Sequence, residues 1–306
     1  MTAINQFNIR SYQYKDFPEL VRALFTLKKA TLKASLNLRR FDGEDLQTLI
    51  LACEKSLESK NWTSLGISVY AGSKGYLLQA IDNEILLNTG IKSEGDIERL
   101  QKILSRCASS NAFVITANEL VIRQNLQKLA ASCERFTEVL ENKAQEFKQT
   151  VKMGRLGLQD YLPMTLGEQF CGYAFGIRRL KNEIETKAKE LHFNAIGINE
   201  MGTLAFYDDQ LAKESSLLLS EMYGYSVTSF ENSFDAVMDC SRLLTAHALV
   251  QALSTAVWRL ARDVRMMCSG PRAGLHSSGC GPGLFDYAGK TQSGHRRNGL
   301  YHSRSG

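Results

Sequence analysis

The sequence contains little proline, with only four prolines among 306 residues. Proline interrupts a helix because it lacks the backbone N–H and its ring clashes with the preceding turn. So few interruptions favour long helices. The chain also lacks an apolar run near the ~18 residues that a membrane span requires, and its first residues lack the apolar core of a signal peptide. We therefore expect a cytoplasmic protein without a membrane partner.

Cysteine pairs and a strong charge excess are also lacking. The seven cysteines are an odd number and show no C-x-x-C pair or other metal-type spacing, so neither a disulfide framework nor a zinc site is predicted. The net charge is +5, but residues 276–306 hold four basic residues against one acidic residue. The remainder of the chain is nearly neutral, which argues against a nucleic-acid partner.

Three stretches show apolar residues at alternating steps of four and three, which is typical of long helices with a narrow apolar seam. They run from about Asn118 to Phe147, from Leu166 to Leu191, and from Leu243 to Met267. Thr165 and Glu168 have the spacing of a capping box at the start of the second helix. Such seams predict an ordinary helical bundle core or packing against other subunits.

The flanking segments differ from this bundle. Shorter helices are predicted for Pro18–Ala34 and Gly43–Leu57, whereas residues 62–88 show a mixed pattern. After Leu275 the sequence is rich in glycine and histidine and has almost no periodic apolar residues, so we expect disorder. The predicted organisation is an N-terminal domain (1–110), a central helical bundle that is incomplete (111–275) and an aberrant tail (276–306).

One motif carries a family resemblance. The stretch "KMGRLGLQDYLPMTLGEQF" (152–170) resembles the aspartase/fumarase superfamily, which has K-x-G-R-T-(H/Q)-x-Q-D-A-x-P-x-T-L-G-Q-E-F there. "FENSFDAVMDCSRLL" (230–244) and "SGPRAGL" (269–275) are similar to further family stretches, and "DFPELVRALFTLKKA" (16–30) is most similar to aspartate ammonia-lyases. The resemblance implies a mainly α fold with a long-helix central bundle and a smaller N-terminal helical domain, here without the family's C-terminal domain.

The resemblance also implies a reaction. Family members eliminate ammonia from L-aspartate, or water from malate, by anti elimination to give fumarate. A base removes a weakly acidic proton, and hydrogen-bond donors stabilise the aci-carboxylate that results. The implied site is assembled from three subunits of a homotetramer, binds a dicarboxylate or amino-acid substrate, and uses no metal or organic cofactor.

Two N-terminal site segments depart from the family pattern. In the first, G-T-S-x-N-M-N-x-N-E-V, Asn83 and Glu84 remain, but the residues from Tyr76 to Ile81 replace the donors. In the second, no histidine precedes His192, and Arg99 and Ile103 stand near the expected positions. Ser110 and Asn111 remain there while Ala112 replaces an aspartate. We therefore predict Ser110 and Asn111 as the substrate-binding residues; the alternative is that they only cap a helix.

The later segments also lack residues that family members use for substrate binding or catalysis. Leu156 and Gly157 replace a threonine and a histidine or glutamine, whereas Gly202 and Thr203 of the next segment remain. The family's mobile loop G-S-S-x-M-P-x-K-x-N-P is absent from the tail, although the tail's codons permit it one nucleotide later. We therefore expect a truncation by frameshift after Leu275 and no catalytic residue. The predicted protein is an inactive or impaired aspartate ammonia-lyase-like chain; the alternatives are a helical subunit that assembles with an intact paralogue, and a lyase with another substrate.

Overall fold

The computed structural model describes residues 18–59, 74–106, 109–203 and 207–268. These ranges are mostly helical, which confirms the predicted mainly α fold. The predicted tail and its frameshift lie outside the described residues. In chain order the elements are α1 (Pro18–Asn37), α2 (Gly43–Glu58), α3 (Lys74–Thr89), α4 (Glu94–Arg106), α5 (Ser110–Glu146), β1 (Val151–Leu156), β2 (Gln159–Thr165), α6 (Leu166–Glu190), β3 (Phe193–Asn194), α7 (Asp209–Tyr223), β4 (Thr228–Ser229), α8 (Ser233–Met238) and α9 (Ser241–Met267).

The predicted helices are present, and their caps explain where they begin. Helix α6 begins at Leu166, as the capping box predicted. Thr165 N–H donates to Glu168 Oε2 at 2.7 Å, and Glu168 N–H donates to Thr165 Oγ1 at 3.0 Å. This reciprocal pair satisfies two backbone donors that the helix leaves open. Helix α5 begins at Ser110, well before the predicted start near Asn118.

A β-hairpin between α5 and α6 was not predicted. Strands β1 and β2 pair antiparallel, with Val151 opposite Thr165 and Leu156 opposite Gln159. Gly157 and Leu158 form the two-residue connection, with φ of +57° and +67°. Positive φ at both positions is the hairpin-turn conformation that matches the twist of the strands. No residue of either strand is buried, and the first four residues of β1 alternate between exposed and half-buried with the apolar Val151 and Met153 at the exposed positions, so no apolar face turned toward a core marked the hairpin in the sequence.

The contacts divide the chain into two compact units. Unit 1 comprises Met1–Ser132 and Asn182–His247, and unit 2 comprises Cys133–Lys181 and Ala248–Gly306. The core of unit 1 is built from α1 to α4, the first part of α5, and α7, with Phe25 and Phe113 fully buried. The domain boundaries at residues 110 and 275 stay a prediction.

Unit 2 consists of the hairpin and the adjoining parts of α5, α6 and α9. Its apolar seam is only partly covered: Ile177 and Leu253 are buried, whereas Val257 and Trp258 are exposed. No helix within the described ranges is apolar over enough of its length to cross a membrane.

Candidate functional site

Two of the segments that the resemblance assigns to substrate meet at one cleft in unit 1. Gln79 of the first segment and Ser110 of the second segment line it together. Its volume is about 270 Å³. We call this the Ser110 cleft; its lining residues are Lys28, Leu78, Gln79, Asp82, Gln101, Leu104, Ser105, Ser110 and Phe113.

At the start of helix α5, the residue that caps the helix differs from the two residues that are predicted to bind substrate. Ser109 caps the helix: its Oγ accepts from Ala112 N–H at 3.2 Å, and its carbonyl accepts from Phe113 N–H at 3.3 Å. Ser110 and Asn111 follow in the first turn, half-buried, and neither side chain hydrogen-bonds to another residue of the described chain. The capping alternative therefore applies to Ser109. The assignment of substrate binding to Ser110 and Asn111 stays a prediction.

The charge of the Ser110 cleft is internally balanced. Lys28 Nζ lies 2.7 Å from Asp82 Oδ1 and donates to the Leu104 carbonyl at 3.2 Å. The same ammonium lies 4.6 Å from the ring centroid of Phe113. Lys28 is the one cationic side chain among the described residues that line the cleft, and it already has a carboxylate partner. The described lining residues therefore offer no unpaired cation, and the remaining polar side chains, Gln79, Gln101, Ser105 and Ser110, are neutral.

The replaced positions of the first segment belong to the core. Leu77, Leu78 and Ile81 are buried in helix α3 and pack into the main hydrophobic cluster of unit 1. The side chain of Tyr76 lies outside the described residues. At these three positions the fold requires apolar side chains, so no hydrogen-bond donor can replace them without loss of packing.

The residues in the histidine region of the second segment also have structural roles. Arg99 lies 2.8 Å from Asp45 and 2.9 Å from Asp96. The hydrogen bond to Asp45, with the charge of that carboxylate, raises the pKa of Arg99. Ile103 is buried. Neither residue is available in the role that the resemblance assigns to the histidine region.

The third segment forms the tip of the hairpin. Leu156 is 68% exposed and Leu158 is 75% exposed, so the tip presents apolar side chains to solvent. At Gly157 the positive φ favours glycine, because a Cβ in this conformation crowds the backbone. Arg155 Nε lies 2.9 Å from Asp160 Oδ1 and joins the two strands, which supports a structural role for both residues.

The fourth segment holds a loop in place. Gly202 has φ of +70°, and a Cβ there would come within 2.5 Å of the Ser233 carbonyl oxygen. Ser233 Oγ donates to the Gly202 carbonyl at 2.7 Å. Asn199 Oδ1 accepts from the backbone N–H of Met201 and of Thr203 at 3.0 and 3.2 Å. The retained residues of this segment therefore have a scaffold role that is visible in the structure.

The sequence analysis missed a buried ion pair between Glu119 of α5 and Arg242 of α9. Glu119 is 2% exposed, and the guanidinium of Arg242 lies 4.6 and 4.5 Å from the ring centroids of Phe193 and Phe230. Burial raises the pKa of Glu119, and the hydrogen bond from Arg242 opposes this shift. The pair borders a cavity of about 170 Å³. The available signal was a glutamate within the apolar stretch "AFVITANELVI".

Comparisons with known proteins agree with this fold. A protein-family model described as "Lyase" matches residues 2–279. The chain is 28% identical over 283 residues to the aspartate ammonia-lyase of Escherichia coli K12, covering 90% of this chain and 59% of that protein. It is 29% identical over 264 residues to a class II fumarate hydratase of Helicobacter pylori J99, covering 84% of this chain and 57% of that protein. The chain thus spans less than two thirds of the length of these relatives.

Solved structures show the same architecture. A fumarate lyase:delta crystallin structure from Brucella melitensis aligns with a TM-score of 0.77 and 25% identity, covering 88% of this chain and 60% of that one. A class II fumarase from Schistosoma mansoni aligns with a TM-score of 0.72 and 21% identity, covering 83% of this chain and 57% of that one, and supports the fold alone. The motifs, the long helices and the family match together show that this chain belongs to the aspartase/fumarase superfamily of lyases.

Proposed function

We propose that this chain is an aspartate ammonia-lyase-like protein that does not catalyse the family's elimination at an appreciable rate. The proposal rests on the locations of the residues that replace the family's polar site residues. Leu77, Leu78 and Ile81 are buried in the core, and Leu156 is an exposed apolar residue at the hairpin tip. None of these side chains can donate a hydrogen bond to a developing aci-carboxylate.

The energetic consequence is large. Loss of one donor that acts in the transition state costs about 2.7–4 kcal/mol, or ~10²–10³ in rate. Two segments have lost such groups, and the sequence offers no loop serine or lysine of the family type. Together these losses would leave little of the acceleration that a lyase needs.

Carboxylate binding would persist only weakly. Ser110 offers a neutral donor in the cleft, Asn111 is its half-buried neighbour in the first turn of α5, and Lys28 is already paired with Asp82. A neutral donor makes a charge-assisted hydrogen bond to a carboxylate, but the described lining residues offer no unpaired cation to hold the ligand's charge in an ion pair. We therefore infer residual, low-affinity contact with one carboxylate of an aspartate- or fumarate-like ligand.

The test is a turnover assay with L-aspartate and, separately, malate, followed by the ultraviolet absorbance of fumarate. We expect a rate below ~0.1 per second, against ~10 per second for a typical enzyme. A faster reaction that disappears in an Asn111→Ala variant and persists in Asn125→Ala would overturn the proposal. Asn125 is the matched control because it is exposed and lies on the same helix.

A second candidate function is assembly with an intact paralogue, and a specific surface favours it. Within unit 2, helix α9 exposes Val250, Val257 and Trp258, of which Trp258 is 61% exposed. Exposed apolar patches commonly mark association surfaces. We propose that this face packs against other lyase-type chains, as a homo-oligomer or with a paralogue. A lyase with another substrate is the third candidate, because the two charges in the wall of the Ser110 cleft, those of Lys28 and Asp82, balance each other.

Light scattering on the purified chain tests the assembly. We expect an oligomer or an aggregate that Val257→Glu with Trp258→Glu converts toward a monomer, since burial of two new charges is unfavourable. Ser254→Glu with Thr255→Glu is the matched control, because both positions are exposed and polar on the same helix. A cooperative monomer for the unmodified chain would contradict this proposal.

A further inference from the structure

Unit 2 contains a second cleft, whose wall includes residues of the third family segment but not its replaced positions Leu156 and Gly157. It lies between the β-hairpin, the first two turns of α6 and the last turns of α9, and its volume is about 510 Å³. That volume falls within the ~300–1,000 Å³ of small-molecule sites. We call it the Lys152 cleft after the lysine in its wall.

Lys152 has no carboxylate partner in the described part of the chain. Its Nζ donates to Gln169 Oε1 at 2.5 Å and lies 3.8 Å from the sulfur of Met267. An ammonium has three donors, so at least one remains for a ligand. Burial lowers the pKa of Lys152, and the nearby positive charge of Arg155 acts in the same direction, whereas the negative charge of Asp263 opposes them. A bound anion would add to the effect of Asp263.

A chain of hydrogen bonds orients this lysine. Gln169 Nε2 donates to Tyr173 Oη at 2.6 Å, and Tyr173 Oη donates to Asp263 Oδ2 at 2.8 Å. Burial raises the pKa of Tyr173 to about 12, so its hydroxyl stays protonated and continues to donate to Asp263. The carboxylate of Asp263 is therefore bonded to Tyr173, and the amide of Gln169 separates it from Lys152.

The rest of the wall combines a second cation with apolar side chains. Arg262 has no ion pair with another described residue, and its guanidinium lies 4.9 Å from the ring centroid of Trp258. Met153, Met164 and Met267 also line the cleft. Methionine is unbranched and polarizable, and its sulfur makes favourable contacts with aromatic rings. Arg155 and Arg259 line the cleft too, but they have Asp160 and Asp263 as ion-pair partners, and the carboxylate of Glu168 belongs to the capping box. Lys152 and Arg262 beside the methionines therefore complement a ligand with an anionic end and an apolar body.

We propose that the Lys152 cleft binds a small carboxylate with an apolar, preferably aromatic, body. Lys152 and Arg262 contact the carboxylate, and the methionines contact the body. The site goes beyond the proposed function, because it uses none of the side chains that the family resemblance assigns to substrate. It lies within unit 2, whereas Ser110 and Asn111 belong to unit 1.

The test is isothermal titration calorimetry of the full chain with benzoate, and with benzamide as a neutral ligand of the same shape. We expect saturable binding of benzoate and much weaker binding of benzamide. Lys152→Met should weaken benzoate binding by about tenfold or more, the typical effect of one hydrogen bond to a charged group. Lys143→Met, which removes an exposed lysine of the same unit, should leave it unchanged.

Three outcomes would overturn the proposal: no saturable binding of benzoate by the folded chain, equal affinity for benzoate and benzamide, or equal affinity in Lys152→Met and the unmodified chain. If Lys152→Met does not fold, Arg262→Gln carries the same test, because Arg262 is exposed. Asn111→Ala should leave benzoate binding unchanged. This last variant separates a failure here from a failure of the proposed function.

Discussion

Helix α3 and the hairpin tip lost the family's polar residues in structurally opposite ways. In α3 the replacements are Leu77, Leu78 and Ile81, and all three are buried in the core of unit 1. At the tip the replacements are Leu156 and Gly157, and Leu156 is exposed. A buried aliphatic side chain contributes about 1.5–3 kcal/mol, whereas an exposed one contributes little. The α3 replacements therefore support folding through burial, whereas at the tip Leu156 contributes little and Gly157 contributes only through its backbone conformation.

The largest effect should come from a polar residue in α3. Ile81→Asn would bury an amide without a partner and remove a fully buried aliphatic side chain. We expect a loss of at least about 3 kcal/mol in the free energy of unfolding. Urea unfolding measures this change in the free energy of unfolding. The control is Gln79→Asn, because Gln79 is exposed on the same helix. A loss below about 1 kcal/mol would mean that helix α3 tolerates a polar residue about as well as the hairpin tip does.

Gly157→Ala should have an intermediate effect. Its φ of +57° makes the new Cβ crowd the backbone, so we expect a loss of about 1–2 kcal/mol. Gly176→Ala, in helix α6 with no atom near the added Cβ, should instead gain about 0.5–1 kcal/mol from helix propensity. Thermal unfolding of both variants gives the comparison. Opposite signs are expected, and a shared sign would mean that the turn conformation does not restrict position 157.

The smallest effect should come from Leu156→Thr, which restores the family residue at the tip. The side chain is exposed in β1, so we expect a change within about 0.5 kcal/mol. The same variant should not restore fumarate formation, because Leu77, Leu78 and Ile81 in α3 still offer no donors. A measurable gain in turnover from this single change would show that the hairpin tip alone limits the reaction.

The long helices and one cap could be predicted because their signals are local. The Thr165–Glu168 capping box and the periodic apolar residues after Leu166 each depend on neighbours within a few positions along the chain. The hairpin could not be predicted from its hydrophobic pattern. Its strands contain no buried residue, and the alternating apolar residues Val151 and Met153 of β1 are exposed, so the usual pattern of apolar residues on a buried face is missing. Its turn depends on positive φ at Leu158 as well as Gly157, and leucine does not signal that conformation.

The candidate site was only partly predictable for a different reason. Gln79 and Ser110 belong to two different segments that the family resemblance assigns to substrate, and both line one cleft. The pairing of Lys28 with Asp82, and that of Glu119 with Arg242, joins residues that are far apart in the sequence. No local pattern encodes such contacts. They follow from how the helices pack, and they determine the charge of each cleft.

The Glu119–Arg242 pair has a consequence for how this sequence can diverge. Removing one partner of a buried ion pair leaves an uncompensated charge and typically costs about 3–5 kcal/mol, whereas replacing both partners by packed apolar residues is often neutral. The two positions therefore cannot diverge independently without loss of stability. Paralogues of this protein should carry both charges or neither, and an intermediate with only one would be removed as a folding defect before any change in activity mattered.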